Sequence, residues 1–106
     1  MNHNNTEKTR GLLFRLGLAK KAGKLISGTD MVCGGIREGK VLVVVTSLDL
    51  TENTAKRIGD RCRYYGIPLI VCEASKDVLG AAVGKPFAAC VGITDKNLSR
   101  LILRNQ

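Results

Sequence analysis

Val41-Leu42-Val43-Val44-Val45-Thr46 is an unbroken run built mostly from β-branched residues. Such side chains are stiff and pack well on a pleated surface, and a strand without polar alternation reads as one covered on both faces. It therefore demands a helical layer on each side, and the flanking sequence supplies the helices. Upstream, Leu12, Leu16 and Ala19 fall at i, i+4 and i+7 with Leu13 beside them. That spacing predicts an amphipathic helix over 7–22, ended by Gly23. Its polar face carries Lys8, Arg10, Arg15, Lys20 and Lys21. Leu25 and Ile26 read as a short strand, and a helix follows over 29–38, stopped by Gly39. Gly34 and Gly35 weaken that helix by about 1 kcal/mol each relative to alanine. A glycine pair there is read as a mark of close backbone packing.

Downstream, Asp49 with Glu52 three residues on reads as a capping box opening a helix to about Tyr65. Ala55, Ile58 and Cys62 form its apolar stripe, and Lys56, Arg57, Arg61 and Arg63 its exposed side. Gly66 and Pro68 close it, and residues 69–72 read as the next strand. A short helix over 76–83 ends at Gly84, a fourth strand spans 87–93, and Asp95 caps a last helix with Leu98, Leu101 and Ile102 inward. Strands alternating with helices predict an α/β layer sandwich, with helices on both faces of a small, mostly parallel sheet. Residues 1–6 read as a disordered tail and 7–106 as a single domain.

Seventeen basic against nine acidic residues give a net charge of +8 and an isoelectric point near 9.7. In so small a domain that balance favours a polyanionic partner, above all nucleic acid. Cys33, Cys62, Cys72 and Cys90 lie far apart, without a C-x-x-C pair, each in or beside an apolar run. Buried free thiols are expected, and Cys62, although flanked by Arg61 and Arg63, is read as core rather than as a reactive thiol. The one histidine, His3, lies in the polar tail, so no metal set and no cofactor is expected. With no long apolar stretch and no signal-peptide core, no membrane partner and a cytoplasmic location are expected.

The stretch from Lys20 to Asp30 carries the chemistry. A basic helix end, Lys20-Lys21 with Lys24, runs through a short apolar segment to Gly28, where a new helix opens with its free amides. Helix N-termini bind anionic oxygens through those amides and the helix dipole, so Gly28, Thr29, Asp30 and Met31 beside the lysines read as a phosphate-backbone landing site. Gly80-Ala81-Ala82-Val83-Gly84-Lys85 does not make a nucleotide-binding P-loop. Three residues rather than four separate the glycines, and Pro86 stands where a magnesium-binding hydroxyl is needed. Gly84 is read as a helix cap and Gly80 as a place where backbone could approach RNA. No carboxylate pair or nucleophile–base set is present, so an enzyme is not expected. Four aromatics are too few for a single-strand stacking platform, and Tyr64-Tyr65 is expected to pack at a helix end. Recognition is expected to rest on basic groups, amides and short polar side chains, which suits a folded RNA of distinctive shape.

Three segments together resemble the ribosomal-protein superfamily of the L-seven-Ae and L-thirty-e type, many of whose members bind RNA kink-turns. They are Lys21-Ala-Gly-Lys24-Leu-Ile-Ser-Gly28, Val43-Val-Val-Thr46 with Asn53-Thr54-Ala-Lys56, and Ser75-Lys-Asp-Val-Leu79-Gly80-Ala-Ala-Val-Gly84-Lys85. Tyr65-Gly66-Ile67-Pro68 also fits, and the likeness runs from about Thr9 to Leu103, closest to a small bacterial branch. The resemblance implies a three-layer α-β-α sandwich with a central four-stranded mixed sheet. It implies an RNA site at Gly28, Thr29, Asp30 and Met31 with Lys24 nearby, helped by the loop holding Ser75 and Lys76, with Leu79 and Gly80 behind it. Lys20, Lys21 and Lys85 are expected to add phosphate contacts. The chain departs from the kink-turn pattern of Gly-x-Asn-Glu with a lysine three residues later: it has Gly28-Thr29-Asp30-Met31, and Gly34 at the lysine position. Ionised Asp30 only accepts hydrogen bonds, whereas asparagine also donates, and Met31 accepts none of strength.

The leading expectation is therefore a monomeric RNA-binding protein, ribosome-associated or regulatory, whose partner is a structured, kink-turn-like RNA such as ribosomal RNA or a leader, with the ribosome as a further partner. A protein-interaction adaptor on the same scaffold is the alternative, favoured by the replaced base-reading residues.

Overall fold

The computed structural model describes residues 3–106, with side chains from Glu7 onward. Nine elements follow in the order α1 (His3–Lys21), β1 (Leu25–Ser27), α2 (Thr29–Arg37), β2 (Val43–Thr46), α3 (Glu52–Tyr65), β3 (Leu69–Val71), α4 (Lys76–Ala82), β4 (Cys90–Ile93) and α5 (Lys96–Arg104). The expected tail over 1–6 falls partly outside the described residues, at 1 and 2. From His3 the backbone already belongs to α1, since extending a formed helix costs far less than starting one.

The strand order is β1-β4-β2-β3, and only β2 and β3 run parallel. The sheet is thus four-stranded and mixed, as the family resemblance implied, and the mostly parallel sheet read from the strand–helix alternation alone is corrected. The reason lies in α4. A parallel return needs a crossover that carries the chain back along the whole sheet. Here the seven-residue α4 leaves and returns at one end, with the Ala88 amide donating to the Lys76 carbonyl at 3.0 Å. Strand β4 must then run against β3, and it slots antiparallel between β1 and β2.

The apolar run of β2 is buried throughout, and its alternate side chains feed two cores. Val43 and Val45, with Val91 and Ile93 of β4, meet Leu12, Leu16 and Ala19 of α1, Leu79 of α4 and Ile102 of α5. Val44, with Cys90, meets Val32, Cys33 and Ile36 of α2 and Ile58 and Cys62 of α3. That is the three-layer sandwich, with α1, α4 and α5 on one face and α2 and α3 on the other.

Several local expectations change. The cap of α3 is Thr51, whose side chain accepts from the Thr54 amide at 3.2 Å. Asp49 instead reaches across to the start of α4 and accepts from the Lys76 amide at 3.0 Å. Desolvation works to raise the Asp49 carboxyl, but the Ser47 side chain, its own and the Lys76 amides and the Lys76 charge together hold it below its ordinary value. The cap read at Asp95 forms, accepting from Leu98, and Ser75, not read as a cap, does the same for α4 by accepting from Val78. Ala55 and Leu101 are exposed rather than inward, because each lies at the edge of its helix stripe. Of the glycine pair, a Cβ on Gly35 would lie 2.7 Å from Val41 Cγ2, whereas one on Gly34 would meet open space. Only Gly35 marks close packing.

All four cysteines are free and buried. Burial pushes the Cys72 and Cys90 thiols up to about 11 and moves Cys62 the same way. The thiolate is the reactive form. At about pH 8 the native protein should therefore leave a thiol reagent almost untouched over minutes, and the unfolded chain should consume four equivalents. A fast-reacting native thiol would contradict this packing.

Candidate nucleic-acid interface

Strand register gathers one set of residues at one end of the sheet. Ser27 of β1 pairs with Val91, Thr46 of β2 with Cys90, and Val71 of β3 with Thr46. The C-terminal ends of β1, β2 and β3 and the start of β4 therefore coincide. Backbone hydrogen bonds tie the segments beyond them: Gly28 donates to Cys90 at 3.1 Å, Ser47 to Ala89 at 2.9 Å, Leu48 to Ala74 at 2.8 Å and Ala88 to Lys76 at 3.0 Å. The start of α2 and the loop into α4, separated by more than forty residues of sequence, thus share one rim.

At that rim Gly28 adopts φ 100° and ψ 141°, a conformation side chains rarely take. It provides no side-chain cap to α2, so the first-turn amides of Thr29, Asp30 and Met31 have no intrahelical acceptor and remain the donor set of the helix end. The Thr29 hydroxyl turns inward and lies 3.9 Å from the Cys90 thiol, its donor. The Asp30 carboxylate is paired with Arg57 Nη2 of α3 at 2.8 Å. Hydrogen bonding to Asp30 raises the Arg57 guanidinium above its ordinary value, so it stays charged. The pair is exposed and so adds little to stability, but it fixes one carboxylate oxygen and one guanidinium beside the open amides. Ser75 caps α4, and Lys76 is half-buried next to it.

Of the predicted site residues, Gly28, Thr29, Asp30, Met31, Ser75 and Lys76 are brought together. Lys20, Lys21 and Lys24 are not beside them. Lys24 precedes β1, and its carbonyl accepts from Thr94 beyond the far end of β4. The three residues of β1 then separate it from Gly28, a rise of about 10 Å. Lys85 lies beyond the C-terminal end of α4, its amide donating to Gly80. Leu79 and Gly80 are buried. A Cβ on Gly80 would fall 2.5 Å from Phe87 Cα, so the backbone that closely approaches Gly80 is the chain's own rather than a ligand's.

The same end of the sheet also carries exposed apolar side chains that sequence reasoning passed over, Phe87 at 66 % exposed and Leu48, in addition to the predicted Met31 at 63 %. An exposed aromatic in a chain with so few was the available signal. Its place against α4 required the fold.

Among the described residues no group of three or more His, Cys, Asp or Glu side chains could hold a metal ion. No helix of the described chain is long and apolar enough to cross a membrane.

The scaffold is shared with known proteins. The RNA-binding protein YlxQ of Bacillus subtilis (strain 168) is 38% identical over 88 residues, covering 83% of this chain and 87% of that protein. The RNA-binding protein YlxQ of Enterococcus faecium is 33% identical over 100 residues, covering 94% and 92%. A solved structure of a protein of unknown function from Bacillus halodurans C superposes with a TM-score of 0.84 at 33% identity, covering 89% of this chain and 94% of that one. These relatives place the chain with the bacterial YlxQ branch, among ribosomal and RNA-binding proteins rather than enzymes. The sequence pattern of the ribosomal protein L7Ae/L30e/S12e/Gadd45 family matches residues 12–102, nearly the whole folded chain, and the protein belongs to that family.

Proposed function

We propose that this protein binds a structured, kink-turn-like RNA at the rim formed by the start of α2 and the loop into α4. The observation that carries the reading is the uncapped first turn of α2, at the same end of the sheet as Lys76 and the return that holds the exposed Phe87. Amides at 29–31 donate to a phosphate or a base-edge oxygen, Lys76 neutralises a neighbouring phosphate, and Phe87 and Met31 offer an apolar face to an unstacked base. The relatives named for RNA binding support the same polymer. The net charge of +8 draws RNA from a distance. Lys20, Lys21, Lys24 and Lys85 contribute mainly to that attraction, because they stand away from the rim. The protein acts in the cytoplasm as a monomer, on ribosomal RNA or a regulatory leader.

Asp30 distinguishes the target. Its free carboxylate oxygen takes donors only, so it favours a base edge presenting N–H groups, whereas asparagine reads mixed edges.

The test is crosslinking and sequencing of RNA bound in the protein's own cells, with Lys76→Glu Phe87→Ala as control. One enriched structured site, lost in the double variant, is expected. In vitro, Lys76→Ala should flatten the dependence of log K on log salt by about 1, and Lys24→Ala by less. Diffuse crosslinks unaffected by the double variant would remove the rim from RNA binding and bring the adaptor reading to the front.

A further inference from the structure

Helices α2 and α3 pack side by side, and their outer surfaces leave a shallow groove of 530 Å³. It is lined by Arg37 of α2 and by Arg57, Asp60, Arg61, Tyr64 and Tyr65 of α3. Its contents are unlike an ordinary solvated helix face. Tyr64 is 82 % exposed and Tyr65 40 %, so the expectation that this pair packs at a helix end is corrected. The rings pack on each other instead, edge to face at 4.9 Å between centroids. The two largest aromatic side chains of the protein are thus held out beside three guanidinium groups.

Among the described residues, charge in the groove is cancelled only at Arg57. Asp60 is engaged by Lys56 at 2.9 Å and by Arg63, both on its own helix. Asp30 engages Arg57. Arg37 and Arg61 make no ion pair among the described residues, and Arg61 is held in place by donating to the Cys33 carbonyl at 3.3 Å. Fixed guanidinium groups with neighbouring aromatic faces are the combination that binds single-stranded nucleic acid, phosphates on the cations and bases on the rings. An acidic protein segment would use the cations and leave the projecting rings without a partner.

The groove is also continuous with the rim. Residues 30, 33 and 37 of α2 lie alongside 57, 61 and 64–65 of α3, so the two helices run in the same direction. Arg57 stands at one end, bonded to Asp30 at the start of α2, and the tyrosines stand at the other. The distance along α2 from Asp30 to Arg37 is about 10 Å.

We propose that the α2–α3 groove is a second RNA-binding surface, taking a single-stranded segment that leads away from the structured element held at the rim. This assignment rests on the RNA-binding reading for the polymer and not for the surface. A strand leaving the rim first meets Arg57, passes Arg61 and Arg37, and stacks a base on Tyr64.

The experiment is an amide-shift titration of the full-length protein with a single-stranded oligouridylate about ten nucleotides long, joined to ultraviolet crosslinking and peptide mass spectrometry. Shifts at Arg37, Arg57, Arg61, Tyr64 and Tyr65 and a uridine adduct on Tyr64 or Tyr65 are expected. Arg37→Ala Tyr64→Ala should weaken oligouridylate binding at least about fivefold, and Tyr64→Phe should not, since the ring rather than the hydroxyl does the stacking. Both variants alter exposed positions, and their free spectra check that the fold is kept. Shifts confined to Gly28–Met31 and Ser75–Lys76 would overturn the groove and leave the rim standing. Loss of rim shifts with a structured RNA while the groove still responds would overturn the rim alone. Equal binding of an oligoglutamate of the same length would make the groove a dock for acidic protein and overturn the RNA assignment.

Discussion

Gly80→Ala should cost about 3 kcal/mol of folding stability, the upper end for overpacking a well-filled interior. An added methyl there would lie 2.5, 2.7 and 2.8 Å from the Cα, C and N atoms of Phe87. All three are backbone atoms, so no rotamer change relieves the contact. The chain must part α4 from the 84–89 return, and that return carries Ala88 onto Lys76 and feeds β4 into the middle of the sheet. In a domain this size the loss corresponds to a melting point lower by roughly 10–20 °C. Urea unfolding with an unchanged slope would report it as a loss of native stability. Wild-type stability in the variant would mean that α4 can shift outward without disturbing β4. Gly35→Ala is milder, because the atoms that crowd it belong to Val41 and Ile26 side chains.

Gly34→Lys should strengthen binding to a kink-turn RNA about tenfold and steepen the salt dependence by about 1. Gly34 is four residues after Asp30 and three after Met31, so it shares their face of α2, one turn further on. Open space surrounds its Cβ position, and its φ is not among the positive ones, so a lysine fits without strain. The same change replaces a poor helix former by a good one, worth several tenths of a kcal/mol to stability. A cation at this position is what the family's kink-turn pattern carries and this chain lacks. Filter binding of a kink-turn RNA over a salt series checks it. Higher stability with no gain in affinity would mean that RNA does not run along this face of α2.

The elements themselves were readable from the sequence because their causes are local. The β-branched run at Val41–Thr46, the i, i+4, i+7 spacing in α1 and the carboxylate cap at Asp95 act within a few residues. Capping misled at Asp49 for the same reason. Asp49 and Glu52 have a capping-box spacing, but a partner distant in sequence, the Lys76 amide, takes the carboxylate and leaves Thr51 to cap α3. The candidate site was legible in half. The uncapped start of α2 announced itself through Gly28. The lysines that seemed to join it did not, since sequence nearness along Lys20–Asp30 hides the length of β1 between them.

By itself, the sequence determined the helices, the strands, the two apolar faces of β2 and a cationic surface suited to RNA, all set by side-chain period and charge. Only the tertiary structure decided the direction of β4, the gathering of Gly28 and Lys76 at one end of the sheet, the opposite roles of Gly34 and Gly35, and the exposure of Tyr64 beside Arg37. Those depend on which distant segments close on one another, and the short return of α4 onto its own start, not any local propensity, selects that closure.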